Sequence, residues 1–240
     1  MQKTRINGVV TYVPVSKQNQ QPAPPPPPPI TVIPRNFKPL SGHEADDLAE
    51  DAEDEYDINT TQAILQYIRR DTDAAGYNMA QNMNHKLENG LPLNANEQFV
   101  SQQLIKGARE IGVDTVLTRA AHKDFLEALG VQNYASMTNA QLDAAVKGAE
   151  YTEKKFVSAS FDPSRNPFIS GPVSGGREVF IKIKTPSNAK GVHGDKSQTE
   201  FIFAPGVKFR AIGAHFDNTT AYPRNGGALP RVVVEVEIIT

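Results

Sequence analysis

Gln198 and Glu200 stand two residues apart at the head of an apolar run, Phe201-Ile202-Phe203, that reads as a strand. In an extended segment residues i and i+2 share a face, so this spacing predicts a carboxamide and a carboxylate side by side. Such a pair can recognise a sugar with one group and an acceptor with the other. Alone it is a common pattern whose ordinary reading is a solvated edge-strand Glu. Two other stretches give it context. Arg119 closes the run Thr115-Val116-Leu117-Thr118, where its planar fork of donors would suit a pyrophosphate or simply face water at a strand end. Ser158 and Ser160 flank Ala159 on a further candidate strand, an arrangement that is commonplace without neighbours.

Taken in order, the Arg, the Ser-x-Ser and the Gln-x-Glu resemble the Arg, Ser-Thr-Ser and Gln/Glu-x-Glu signature of the mono-ADP-ribosyltransferases, and most of all the clostridial Rho-modifying exoenzymes and related toxins. The stretch from Arg177 to Lys184 is similar to the family's strand between the Ser and acidic motifs, and the likeness runs from about Ile58 to the C-terminus. It implies an α+β fold with an N-terminal helical lobe and two packed antiparallel sheets around an NAD cleft. NAD would be the substrate, cut between nicotinamide and ribose, with Glu200 stabilising the oxocarbenium-like centre. Preorganised electrostatic groups of this kind contribute about 10² to 10³ in rate.

The same resemblance assigns the other positions. Arg119 would contact the phosphates, and the backbone of Ala120, where many relatives have Gly, would hold the nicotinamide amide. Ser158 would orient Glu200, and Ser160 would brace the strands beside the NAD site; Ala159 replaces the Thr of the family motif. Phe168 matches a ring that stacks on nicotinamide, and Arg177 matches a loop Arg that reaches the phosphate, with Arg165 as its rival. Gln in place of Glu at position 198 goes with asparagine or guanine-base acceptors rather than arginine, because a carboxamide cannot act as a base. The loop from Lys190 to Ser197 looks shorter than in the Rho-modifying enzymes and lacks their target-recognising aromatic. Two readings compete: an NAD glycohydrolase using the same site, and a phage-associated or secreted structural protein with a vestigial transferase fold.

Composition narrows the remaining chemistry. Of 25 basic and 27 acidic residues, 20 and 18 fall in 58–240, so no basic excess marks nucleic-acid binding by charge. Zero Cys excludes disulfides, thiolate metal sites and cysteine nucleophiles. The five histidines (43, 85, 122, 193, 215) show no metal-ligand spacing, lone histidines are usually surface or core residues, and no metal is expected. Gly175-Gly176 precedes a strand, the wrong context for a dinucleotide-binding turn. No run of 18 apolar residues predicts a membrane span, and the basic start, Met1 to Gly8, is not followed by an apolar stretch of signal-peptide length. A cytoplasmic, virion-associated or non-classically delivered protein would each fit.

These residues need elements to position them. Residues 1–43 carry five basic and no acidic residues, and 44–57 carry nine acidic residues and no Lys or Arg. With prolines at 24–29, 34 and 39, the stretch 1–57 reads as a Pro-rich and acidic leader, a stiff solvated spacer or a docking segment. Within it, Gly8 to Val15 alternates as a strand or docking peptide would. The domain is expected over 58–240. Apolar spacing predicts helices near Thr60 to Ile68, Met79 to Leu87, Asn94 to Ala108, Asp124 to Leu129 and Asn139 to Lys147, the last opened by a Thr138/Gln141 capping box. Strands are expected at 156–160, 179–184, 200–203, 208–214 and 231–239, separated by Gly, Pro and Asn. Helices followed by strands argue for α+β rather than alternating α/β.

Overall fold

The computed structural model describes residues 35–165, 179–224 and 227–239 together with the strands Gln2–Ile6 and Val9–Val13; of 218–230 only backbone is described. Two compact units emerge, Met1–Pro34 and Arg35–Thr240. In the first, β1 (Gln2–Ile6) and β2 (Val9–Val13) form an antiparallel hairpin, the second strand coinciding with the alternating stretch of the sequence.

The second unit begins 23 residues earlier than expected, at Arg35 rather than Ile58. The acidic stretch folds as helix α1 (Gly42–Asp54), opened by a capping box in which Ser41 and Glu44 satisfy each other's backbone N–H groups. Ala45 and Ala49, four residues apart, are buried at 1% and 5% exposure, and Leu40 and Leu48 pack against the main core. The acids occupy the outer face, where charge costs nothing to hydrate. Before the helix, Lys38 pairs with Thr115, whose hydroxyl donates to the Lys38 carbonyl at 2.9 Å. Residues 35–57 therefore belong to the fold, and the leader boundary at Asp57 is corrected to Pro34.

Helices α2 (Ile58–Ile68), α3 (Met79–Glu88) and α4 (Ala95–Gly107) follow. Asp57 caps α2 through the Thr60 N–H at 2.7 Å, ahead of the threonines themselves. Asn78 and Asn94 cap the next two with reciprocal Gln81 and Glu97. The three helices share a core of Ala63, Ile64, Tyr67, Met83, Val100 and Leu104. Gly107 lets α4 approach Thr60, since a Cβ there would overlap the Thr60 methyl. Helices α5 (Asp124–Ala128) and α6 (Asn139–Val146) lie where the sequence places them, α6 with its Thr138/Gln141 box.

The remaining strands are β3 (Arg109–Glu110), β4 (Thr115–Ala121), β5 (Glu150–Thr152), β6 (Val157–Ser160), β7 (Val179–Thr185), β8 (Lys190–His193), β9 (Glu200–Phe203), β10 (Lys208–Arg224) and β11 (Gly227–Ile239). Among the described residues they form one sheet ordered β3-β8-β9-β6-β4-β7-β11-β10-β5. This amends the expectation of two antiparallel sheets in two ways. One pairing, β7 with β11, is parallel, and the two halves stay hydrogen-bonded through a single residue pair, Thr118 with Ser160. Strand β8 occupies a stretch read as loop.

Period-2 alternation explains how the β9 half serves two cores. Phe201 and Phe203 face the main core with Val157 and Ala159, whereas Ile202 and Val192 face the helical lobe. Phe203 also meets Phe209 of the other half, ring centroids 6.5 Å apart. No helix among the described residues is long and apolar enough to cross a membrane.

Candidate active site

The single pair between β4 and β6 is what opens the site. Continuing their antiparallel register would pair Ala120 with Ser158, but the ladder stops at Thr118 and Ser160. The strands part there, and Arg119, Ala120 and Ser158 line a cleft of about 1010 Å³ between the sheet and the helical lobe. Gln198 and Glu200 line it too, so five of the residues singled out in the sequence converge on one cavity.

Gln198 and Glu200 do not meet as i and i+2 of a flat strand. Lys196–Gln198 is a 3₁₀ turn and Thr199 adopts φ 47°, ψ 46°, in the left-handed region that a β-branched residue rarely enters. Strain of that kind costs about 1–3 kcal/mol. Buried hydrogen bonds offset it. The Asp162 N–H donates to Thr199 Oγ1 at 3.0 Å, and Ser160 Oγ lies 2.7 Å from the Gln198 carbonyl and 3.0 Å from Thr199 Oγ1. Ser160, expected beside NAD, is 1% exposed, does not line the cleft and serves as the brace behind this turn.

Asp195 organises the turn from its other end. Its carbonyl accepts from the N–H groups of Gln198 (3.0 Å) and Glu200 (3.1 Å). Its carboxylate accepts from the Ser197 N–H (2.9 Å) and hydroxyl (2.6 Å) and from Gln198 Nε2 (2.8 Å). Burial opposes the charge, but these donors outweigh it and hold the carboxyl below the usual aspartate range.

Glu200 is half-buried. The Asp195 N–H donates to Oε2 at 3.1 Å, and the neighbouring Ser158 hydroxyl favours the charged form of the same carboxylate. Gly194 is pressed against this group: a Cβ there would collide with Glu200 Oε2. Burial pushes the Glu200 carboxyl above its ordinary value, against the pull of Ser158, the Asp195 N–H and the Arg70 charge. Ser158 in turn reaches Tyr67 of α2, whose phenol accepts from Asn84 Nδ2 at 3.0 Å and is raised by burial. Asn84 also staples α3 to the start of β6 by accepting from the Phe156 N–H at 3.0 Å.

The cationic side is different. Arg119 is half-buried in the cleft and its guanidinium makes no hydrogen bond or ion pair among the described residues. Arg70, at the exposed rim, makes no hydrogen bond or ion pair among the described residues either, but its charge acts on Asp195 and Glu200. Arg165 is committed elsewhere: its guanidinium grips Asp46 of α1 at 2.7 and 3.0 Å, with Asp162 3.6 Å away. Arg165 does not line the cleft that holds Arg119. Phe168 and Arg177 themselves lie outside the described residues.

Of the histidines, His193 is a core residue, stacked on Phe161 with centroids 5.6 Å apart and lowered by burial to a pKa of about 4. Among the described residues no cluster of three His, Asp or Glu is placed to hold a metal.

Sequence reasoning missed Tyr67, Arg70, Asn84, Gly194 and Asp195. Asp195 had a signal, since Asp-x-Ser is an Asx-turn pattern. The helical residues had none, being 72 or more positions from the strands they meet.

No family model matches this chain, and no curated protein does. Solved structures do match in fold. A C3-type ADP-ribosyltransferase from Clostridium botulinum superposes with TM-score 0.58 at 18% identity, covering 85% of this chain and 100% of that one. Plx2a, an ADP-ribosyltransferase toxin from Paenibacillus larvae, gives 0.59 at 16%, covering 86% and 100%. C3stau2 from S. aureus, solved with NAD, gives 0.53 at 15%, covering 86% and 98%. The α+β fold is thus that of ADP-ribosyltransferase toxins.

Proposed function

We propose that this protein is a mono-ADP-ribosyltransferase that cleaves NAD at the nicotinamide–ribose bond and transfers ADP-ribose to a nitrogen of a macromolecular acceptor, an Asn amide or a base amino group. The observation that carries this reading is the presence, in one cleft, of a half-buried Glu200 already held by the Asp195 N–H and of an Arg119 that lacks any anionic partner among the described residues. A site so arranged suits a substrate with an anionic middle and a developing cation at one end. The cleft lies at the upper end of small-molecule pocket volumes, adequate for a dinucleotide.

In this mechanism Arg119, with Arg70 at the rim, engages the pyrophosphate through charge-assisted hydrogen bonds. The bond from ribose C1 to the nicotinamide nitrogen breaks, and its electron pair leaves with nicotinamide. Glu200, fixed before the reaction by the Asp195 N–H, holds a ribose hydroxyl and stabilises the cation. The acceptor nitrogen then bonds to C1 and releases one proton to solvent. Gln198 orients that nitrogen and cannot deprotonate it, which disfavours a guanidinium acceptor. Tyr67 and Asn84 keep the Ser158 hydroxyl in place.

Incubation with labelled NAD, following free nicotinamide and macromolecule-bound ADP-ribose in parallel, tests the proposal. Label on Asn or a base is expected. Nicotinamide release without bound label identifies a glycohydrolase, and absence of both rejects the enzymatic reading.

A further inference from the structure

We propose that Asp195 is a specificity-determining positioning residue: by holding the Gln198 amide nitrogen, it fixes the orientation of the amide and turns Gln198 Oε1 toward the acceptor. This rests on the transferase reading above and adds a residue that sets what Gln198 can recognise.

The hydrogen bonds around Gln198 fix which end of its amide faces Asp195. Asp195 Oδ2 lies 2.8 Å from Gln198 Nε2, while Oδ1 takes both the N–H and the hydroxyl of Ser197. An ionised carboxylate accepts and cannot donate, so the end of Gln198 that faces it must be the NH₂. The assignment of nitrogen and oxygen is therefore chemically forced. Gln198 Oε1 has no hydrogen-bond partner among the described residues, and Gln198 lines the cleft.

What Oε1 offers is a neutral acceptor. It orients an incoming N–H while leaving that nitrogen's lone pair free to form the bond to ribose C1. The opposite amide rotamer would donate into the very lone pair that must attack. Asp195 excludes that rotamer, and it is itself held in place at both carboxylate oxygens and by the turn's backbone bonds. The turn is further tied to α1 by Lys196, 2.8 Å from Glu53.

Asp195→Asn tests this in the full chain. It preserves shape, but the carboxamide can serve either the Ser197 donors or the Gln198 NH₂, not both as acceptor. Two readouts apply. By NMR, the Gln198 Nε2 protons, assigned by their loss in Gln198→Ala, should lie downfield of free glutamine amides in wild type and move toward them in Asp195→Asn. By kinetics, transfer from labelled NAD to N-acetylasparagine amide and to a short duplex DNA should fall about tenfold more than nicotinamide release, the loss expected for one hydrogen bond to a charged group. In a Gln198→Ala background, Asp195→Asn should change the transfer-to-hydrolysis ratio no further, because its effect runs through the missing side chain.

A further drop in that ratio in the double variant, or unmoved Nε2 resonances, overturns the proposal. If wild type cleaves NAD but marks neither probe, the acceptor half of the transferase reading fails while the NMR comparison still decides the amide's orientation. If wild type does not cleave NAD, the transferase reading fails and the same comparison decides whether Asp195 holds Gln198.

Discussion

The two ends of the cleft are built on opposite principles. Around Glu200, the Asp195 N–H holds the carboxylate, and the strained turn beside it is braced by Asp195 on one side and by Ser160 and Thr199 on the other. Around Arg119 the guanidinium has no ion-pair or hydrogen-bond partner among the described residues, whereas the exposed Arg70 acts by its charge on Asp195 and Glu200. The first end is organised before any ligand arrives; the second leaves its charge for the ligand to neutralise. Changes at the acidic end should therefore act on kcat, and changes at the basic end on KM.

The largest effect expected is from Glu200→Gln, which keeps shape and loses charge. Nicotinamide release should fall by at least about 10²-fold with KM for NAD nearly unchanged. Its stability effect has the opposite sign. A carboxyl whose folded pKa lies above its unfolded value binds extra protons in the fold, so its ionisation costs stability as pH rises between the two values. At pH 7 the Gln variant should melt at or above the wild-type temperature. A large drop in melting temperature would make Glu200 a structural residue.

Removing α1 tests what braces the acidic end. Deletion of 1–34 should leave the melt and NAD cleavage intact. Deletion of 1–57 should cost at least about 3 kcal/mol from the lost Ala45, Ala49 and Leu48 contacts, with the Asp57 cap of α2 and the Tyr56 bond to the His193 N–H lost as well, and should free the turn that Lys196 ties to Glu53. Equal melting temperatures for the two deletions would return α1 to the leader.

Gly194→Ala should come next, lowering kcat roughly tenfold by pushing the Glu200 carboxylate from its place. Arg119→Lys should raise KM for NAD by about tenfold with a smaller change in kcat, since a point charge cannot replace a two-pronged fork. A kcat effect from Arg119 as large as that from Gly194 would erase the proposed division.

The mildest signature is in pH. Because burial raises Glu200 while its ionised form is the active one, kcat should climb with unit slope through a pKa above the usual glutamate value, then level. Ser158→Ala should move that inflection further up, because the Ser158 hydroxyl favours the charged form. An inflection that stays put would show that the hydroxyl is not coupled to the reacting carboxylate.

Much of this was legible without coordinates. Capping residues and apolar spacing located α2 to α6 within a few residues, because helix ends and amphipathic faces are local properties. Strands β4, β6, β7 and β9 likewise came from alternation bounded by turn residues. Helix α1 was legible too, in Ser41-x-x-Glu44 followed by Ala45, Leu48 and Ala49, but nine acids in fourteen positions suggested solvation and obscured a buried stripe only three small or apolar side chains wide.

The sequence by itself marked out the candidate site residues. Arg119, Ser158, Gln198 and Glu200 are distinguished by type and order alone. Only tertiary structure decided that they share one cleft and what surrounds each of them. Whether Arg165 or another Arg is available depended on Asp46, 119 residues away, and whether Ser160 touches ligand depended on a turn 38 residues on. The left-handed Thr199 and the early end of the β4–β6 ladder follow from no local preference. A side chain's identity is written in the chain, but its hydrogen-bond partners, its burial and hence its charge state depend on residues that only folding brings within 3 Å.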